Sequence, residues 1–196
     1  MKSRGAGIVA VLVLGAAPAL GQPMTAVERQ RLLAHLEMTS GWLRDEVSGL
    51  SRDQVSFKPS QDAWSVREVL EHLVLVAPIY WDDLQDALKA PPTTMRSAFT
   101  DADILWYGID RGRREKAIPS EVPKGKPREL SALLAEYQRH HDRLVEYVQE
   151  TNDPLRAHMV PRQGSDAYQW ALLITTHEQR HILQIRELKR AKRFPQ

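Results

Sequence analysis

AYQWALLITTHEQRHILQIRELKR, residues 167–190, is the stretch on which the fold turns. At about 100° per residue, Trp170, Ile174, His177, His181, Ile185 and Leu188 fall in one narrow stripe. A half-buried strand would alternate apolar and polar residues, whereas these positions recur at helical spacing. The segment therefore predicts an amphipathic helix whose core-facing side carries two histidines. His177-Glu178-x-x-His181 also spells the pattern by which a helix offers a metal two imidazoles and a glutamate base in zinc proteases. Such a protease takes a third ligand from downstream, in the longer motif a histidine. Position 187 here is Glu, and on a continuing helix it points about 240° away from His181. The protease reading fails there, and any third ligand comes from upstream.

Working back along the chain, three further long segments share the helical period. The first runs from about Thr25 to Leu50, with Val27, Leu32, Leu36, Leu43, Val47 and Leu50 on its apolar side. Ser65 caps the second, SVREVLEHLVLVAPIYWDDLQDALKA, with Glu68 completing a capping box and Pro91-Pro92 ending it. The third is RELSALLAEYQRHHDRLVEYVQE, residues 128–150. A long connection from Pro91 to about Pro127 holds one shorter helical stretch, DADILWYGIDRGRREK, and the loop TNDPLRAHMVPRQGSD leads into the fourth helix. No sustained strand pattern and no internal repeat competes. The expectation is an all-α four-helix bundle with a long crossover between helices two and three. The shorter links make helices one and two, and three and four, antiparallel neighbours; the long one lets helices two and three run parallel.

A lone histidine in a core is usually a hydrogen-bonded packing residue, but two imidazoles one turn apart in one apolar stripe are harder to satisfy, and a shared metal satisfies both. Gln184, one turn beyond His181, can hold a ligand or a bound water, or simply edge the stripe. Upstream, His35 follows the Leu32/Leu36 side and reads as structural; of His140 and His141, in the charged run QRHHDR, at least one faces solvent; His158 is a loop residue at a rim. His72, mid-helix in VLEHLVLV at the edge of the stripe Val66, Val69, Leu73, Val76, Tyr80, completes a three-histidine site if helices two and four face each other. Otherwise it is a boundary histidine bonded to a carbonyl. Pro78 removes one helical hydrogen bond and can bend the helix near this level.

DAWSVREVLEHL (62–73) and THEQRHILQIREL (176–188) resemble the two signature regions of the DinB-like superfamily: a Trp-Ser opening a helix that carries a histidine, and a terminal H-x-x-x-H-x-x-Q. FKPSQDAW and the spacing of all four helices match as well, over roughly Thr25 to Arg190. The resemblance implies an up-down-down-up bundle and a metal held by three histidines, which by position are His72, His177 and His181. Known members of that superfamily include thiol S-transferases, an isomerase using a related thiol, and many with no assigned activity.

The N-terminus begins MKSR, continues with an apolar run from Ile8 to Leu20, and ends in Ala19 and Gly21. That pattern predicts a secretory leader over residues 1–21 and a single mature domain over 22–196, exported to the periplasm or medium. The strongly apolar part is shorter than the roughly 20 residues a membrane span requires, so no membrane association is expected once the leader is removed. The thiol cosubstrates of the transferases are cytoplasmic, which sets an exported chain apart from them. With no cysteine, the chain has neither a disulfide, a thiolate nucleophile nor a sulfur ligand, and any metal is held by nitrogen and oxygen. The net charge of +2 is spread along the chain, and the basic end LKRAKR reads as a solvated helix terminus; no nucleic-acid partner is expected. A homodimer is compatible with such a bundle, although no exposed apolar stripe singles out an interface.

These readings lead to a divalent-metal-dependent enzyme, hydrolase or thiol S-transferase in type, acting on a small molecule whose identity the sequence does not give. Zn²⁺ is the expected ion, with Ni²⁺, Fe²⁺ or Mn²⁺ as substitutes. Glu178 is the candidate base, although its projection lies about 100° from His177; its other reading is interhelical or surface pairing. Trp106 and Tyr107 either cover the open side of the metal or pack the crossover onto the bundle. Arg162 and Gln163 are weaker pocket candidates. The competing class is a non-catalytic bundle that binds metal or a small molecule without turning it over.

Overall fold

Helices begin in this chain where a short polar side chain closes the first turn. Thr25, Ser51, Ser65, Thr100 and Asp166 each accept from the backbone N–H three residues on, and the Glu, Gln or Asp found there reaches back to the cap's own N–H. These caps open α1 (Ala26–Val47), α2 (Arg52–Ser56), α3 (Val66–Lys89), α4 (Asp101–Ile109) and α6 (Ala167–Lys189); α5 (Leu130–Glu150) starts behind Glu129 without a side-chain cap. This computed structural model describes residues 21–113, 115–125 and 127–196. The expected leader lies outside them except for Gly21. No helix among the described residues is long and apolar enough to cross a membrane.

Side-chain contacts fix the direction of each long helix. Tyr168 reaches the Glu28 carbonyl, Thr175 bonds Thr39 at 3.0 Å, and Arg186 bonds Glu46 at 2.6 Å, so α1 and α6 run parallel. Trp170 donates to the Tyr80 carbonyl while His177 and His181 meet His72, so α3 is antiparallel to α6. Arg29 reaches the carbonyls of Gln149 and Thr151 at the end of α5, which makes α5 antiparallel to α1 and therefore parallel to α3. The order is up-down-down-up, and the bundle is all-α but for a two-residue ladder.

Two expectations about the connections are corrected. The long helices joined by the shorter links, α1 with α3 and α5 with α6, are antiparallel but are not neighbours: α1 packs on α5 and α6, α3 packs on α5 and α6, and the pairs α1/α3 and α5/α6 lie on diagonals. The reason is that neither link is a tight turn. One contains α2, and the other folds into a 3₁₀ turn (Leu155–Ala157) and the hairpin β1 (Met159–Val160)/β2 (Ser165–Asp166). The crossover helix also stops at Ile109 instead of running on through RGRREK, because Asp110 turns its carboxylate onto the Gly112 N–H at 2.9 Å. α3, by contrast, continues unbroken through Pro78.

α6 is buried on nearly every side because α1, α3 and α4 surround it. α4 crosses it closely at Gly108, where an added Cβ would lie 2.9 Å from Thr176 Cβ and 3.0 Å from the Thr176 carbonyl. Arg156 clips three helix starts together, bonding Glu28 in the first turn of α1, Asp101 in that of α4 and Asp166 at the cap of α6. The apolar core falls into two blocks, one around Leu32, Leu36, Leu84 and Trp170, the other around Leu43, Leu70, Leu133 and Ile185. Between the blocks every long helix contributes polar groups: Thr39 and Ser40, His72, His141, and His177 with Glu178.

Candidate metal centre

The polar layer concentrates imidazoles where α3 meets α6. Antiparallel packing sets His72, mid-helix on α3, against the helical pair His177 and His181, and all three are at least 92% buried. The Nε2 atom of His177 lies 3.3 Å from that of His72 and 3.1 Å from that of His181. The potential ligand atoms of the three rings lie within 4.8 Å of one another, and no other such group of three occurs among the described residues.

Outer contacts decide which nitrogens point inward. His72 Nδ1–H donates to the Glu121 carbonyl at 2.7 Å, and His181 Nδ1–H donates to Gln184 Oε1 at 2.9 Å. Both acceptors are oxygens without a proton, so both rings carry their hydrogen on Nδ1 and present an Nε2 lone pair to the centre. His177 can supply at most one Nε2–H, so protons alone leave a lone pair facing its neighbours. Further protonation is opposed by burial. Burial, with His72, Arg180 and Arg162 adding repulsion, pushes His177 down to about 3. Burial lowers His181 well below the usual imidazole range, with His177 and His72 adding to it, and lowers His72 despite its carbonyl partner. Three neutral imidazoles converging through Nε2 are the donor set of a divalent transition metal.

The centre opens into a cavity of about 750 Å³ walled by Trp64, Tyr80, Tyr107, Glu121 and Arg180, with Arg111 and Glu187 also on its lining. Trp64, which precedes the cap of α3, stacks over the His181 ring at 6.2 Å and tilts against His72 at 5.0 Å. Arg180, buried, donates to the carbonyls of Tyr107, Asp110 and Arg113, closing the C-terminal end of α4. Arg111 forks onto Glu187 at 3.0 and 2.9 Å. Of the carboxylates on the wall, Asp62, Glu115 and Glu187 are exposed and Glu121 is buried.

The other sequence candidates separate. Glu178 does not line this cavity: it is buried on another face of α6, where Tyr137 Oη donates to it at 2.8 Å. Burial raises its carboxyl to about 8 and lowers His141, so the 4.0 Å approach of His141 Nδ1 is not an ion pair at neutral pH. Gln184 orients His181. His35 is half-buried on α1, with its carbonyl accepting from Thr175, and His140 is half-buried. His158, expected at a rim, is buried behind the hairpin, where its carbonyl accepts the Ala167 N–H at 2.8 Å.

Tyr107 walls the cavity, but Trp106 neither covers the site nor packs the crossover: it is 66% exposed. With Leu105 and Ile109 it gives α4 an outward apolar face that the sequence did not single out, since Ile104 and Gly108 take the inner face. Gln163 is exposed, and its neighbour Arg162 pairs with Glu121. Sequence reasoning missed Glu121 because its contribution is a backbone carbonyl and a loop carboxylate, for which no spacing rule exists. Trp64 was visible only within the Trp-Ser opening of α3.

The comparisons agree with this fold. YuaE, an uncharacterised protein of Bacillus subtilis (strain 168), is 26% identical over 148 residues, covering 74% of this chain and 89% of the relative. The structure of YfiT from Bacillus subtilis, described as a probable metal-dependent hydrolase with an unusual four-helix bundle topology, superposes with a TM-score of 0.59 at 20% identity. That match covers 89% of this chain and 92% of YfiT. The profile of the DinB superfamily matches residues 26–185, well over half of the sequence, and the chain belongs to that superfamily.

Proposed function

We propose that this protein is a metal-dependent hydrolase of a small molecule, using one divalent ion held by His72, His177 and His181. The observation that carries the reading is the convergence of three Nε2 atoms, two of them fixed as lone-pair donors, beside an accessible cavity. A structural site closes with four protein ligands, whereas a catalytic one keeps a position for substrate. Three ligands and a cavity fit the second description. All-nitrogen neutral ligation suits Zn²⁺, with Ni²⁺, Fe²⁺ and Mn²⁺ as substitutes. When bound, such an ion supplies Lewis acidity, polarising a carbonyl or phosphoryl oxygen and acidifying water or a thiol.

The chain's own residues supply the rest. Trp64, Tyr80 and Tyr107 give the substrate apolar walls, Gln184 and the Glu121 carbonyl keep two imidazoles turned inward, and Arg180 secures the wall that α4 provides. Glu178, bonded to Tyr137 and absent from the cavity wall, is not assigned the base role. YfiT's description as a probable metal-dependent hydrolase supports the same class. The thiol S-transferase reading has the family resemblance behind it, but the export expected from the N-terminus separates the chain from cytoplasmic thiols.

Metal content by elemental mass spectrometry, on protein purified without chelator or nickel resin, tests the proposal. One ion per chain is expected, absent from His72→Ala and from the His177→Ala/His181→Ala double variant. Loaded protein is then screened against ester, amide and phosphoester panels, with thiol transfer in parallel. A wild type that neither carries nor takes up metal refutes the reading. Turnover only with thiols transfers the chain to the other class.

A further inference from the structure

This inference rests on the metal reading and concerns how the chain holds its one ligand from α3. We propose that Glu121 and Arg162 are positioning residues of the metal centre, so that the crossover between α4 and α5 is an integral part of the site.

His181 is oriented from within its own helix, by Gln184. His72 is oriented from outside: its Nδ1–H donates to the carbonyl of Glu121, 49 residues away in sequence, at the end of the 3₁₀ turn Pro119–Glu121. A ligand's outer hydrogen bond sets its ring orientation and its basicity, so the placement of that carbonyl matters to the ion.

Two anchors fix it, and both return to α3. On one side the buried Glu121 carboxylate pairs with Arg162 from the hairpin tip, and the same guanidinium lies 3.6 Å from Asp83 and 5.3 Å over the Tyr80 ring. On the other, Glu71, the residue before His72, accepts the N–H groups of Lys124 at 2.9 Å and Gly125 at 3.1 Å, where glycine supplies the positive φ of 65°. The carbonyl that orients His72 is thus clamped against the helix that carries His72.

A merely structural ion pair would hold the loop without affecting the ion. Zn²⁺ affinity, measured by chelator competition with Trp64 emission as a second readout, separates the cases in wild type, Arg162→Met, Glu121→Gln and Arg162→Lys. Arg162→Met and Glu121→Gln are expected to weaken binding about 10- to 100-fold; Arg162→Met, which strands the buried carboxylate, also lowers the melting temperature of the metal-free protein, whereas Glu121→Gln, which removes that charge, leaves it nearly unchanged. Arg162→Lys, which keeps the charge, is expected to recover most of the affinity. In Co²⁺-loaded protein the visible absorption bands should shift in the first two variants and not in the third. Wild-type affinity in both Arg162→Met and Glu121→Gln overturns the proposal, as does a loss that tracks the metal-free melting temperature. A wild type that binds no Zn²⁺ refutes the metal reading and this inference with it; a wild type that binds while the variants match it refutes this inference alone.

Discussion

Changing Gly108 to alanine should cost stability, while the same change at Gly41 should add it. Both glycines lie inside helices, α4 and α1, where alanine is favoured by about 1 kcal/mol through backbone entropy and propensity. At Gly41 an added Cβ meets nothing within 4 Å, so that gain stands alone. At Gly108 the Cβ falls 2.7 Å from Gln179 Oε1, 2.9 Å from Thr176 Cβ and 3.0 Å from the Thr176 carbonyl. The amide end of Gln179 can swing away, but the two Thr176 atoms belong to the spine of α6 and cannot. Ordinary carbon contacts begin near 3.5 Å, so α4 must lift by about half an ångström, and overpacking of this kind costs about 1–3 kcal/mol. Because the propensity gain is common to both sites, the difference between the two variants isolates the packing cost, about 1–3 kcal/mol. Urea or guanidinium titration of the two variants and wild type measures it directly. If Gly108→Ala stabilised the protein as much as Gly41→Ala, the close crossing of α4 on α6, and with it the placement of Tyr107 in the cavity wall, would be wrong.

Other consequences can be measured on the same footing. Arg156→Met strands the carboxylates of Glu28, Asp101 and Asp166 at three helix starts; a loss of about 3 kcal/mol is expected, and a change under 1 kcal/mol in denaturant titration would contradict the clip. Burial lifts Glu178 from 4.5 to about 8, so the folded metal-free protein keeps a proton the unfolded chain has released; that stability is full below pH 4.5 and is lost as pH rises through about 8. Glu178→Gln should flatten this limb of the stability profile, and an unchanged profile would remove Glu178 as its source. Trp106→Ser, on the outward face of α4, should change monomer stability by no more than about 0.5 kcal/mol; a larger loss, measured at low concentration, would mean that the ring is covered.

Periodicity and caps made the four long helices legible, since each boundary depends on neighbours in sequence. Ser65 with Glu68 closes its turn whatever the rest of the chain does. The crossover was harder. DILWYG has helical period up to Ile109, but what ends the helix is one Asp110 side chain choosing a turn over another helical residue. Which helices touch was not legible either, because diagonal placement follows from how α2 and the hairpin cross the bundle ends. The helical pair His177/His181 could be projected onto the core from its own segment. Glu121 could not, since a carbonyl acts through its position in space and leaves no mark in residue type.

The polar layer between the two core blocks meets its demands differently on its two sides. Toward α1 and α5 most of the layer pairs within the chain: Glu178 accepts from Tyr137 and Thr175 bonds Thr39, while burial keeps Glu178 and His141 uncharged at neutral pH and His141 Nδ1 has no hydrogen-bond partner among the described residues. Toward α3 the chain does the opposite. It commits the Nδ1 protons of His72 and His181 to outer oxygens and so turns lone pairs inward, of which His177 can satisfy at most one with an Nε2–H. Buried polar groups left in that state cost more than apolar replacements would. A layer serving only to fix the register of the bundle has no need to converge three imidazoles on one point. The open face lies where α3, α6 and the crossover meet, and it adjoins the cavity walled by Trp64, Tyr80 and Tyr107. That asymmetry, more than the count of histidines, is what marks the α3 side as a place for a ligand.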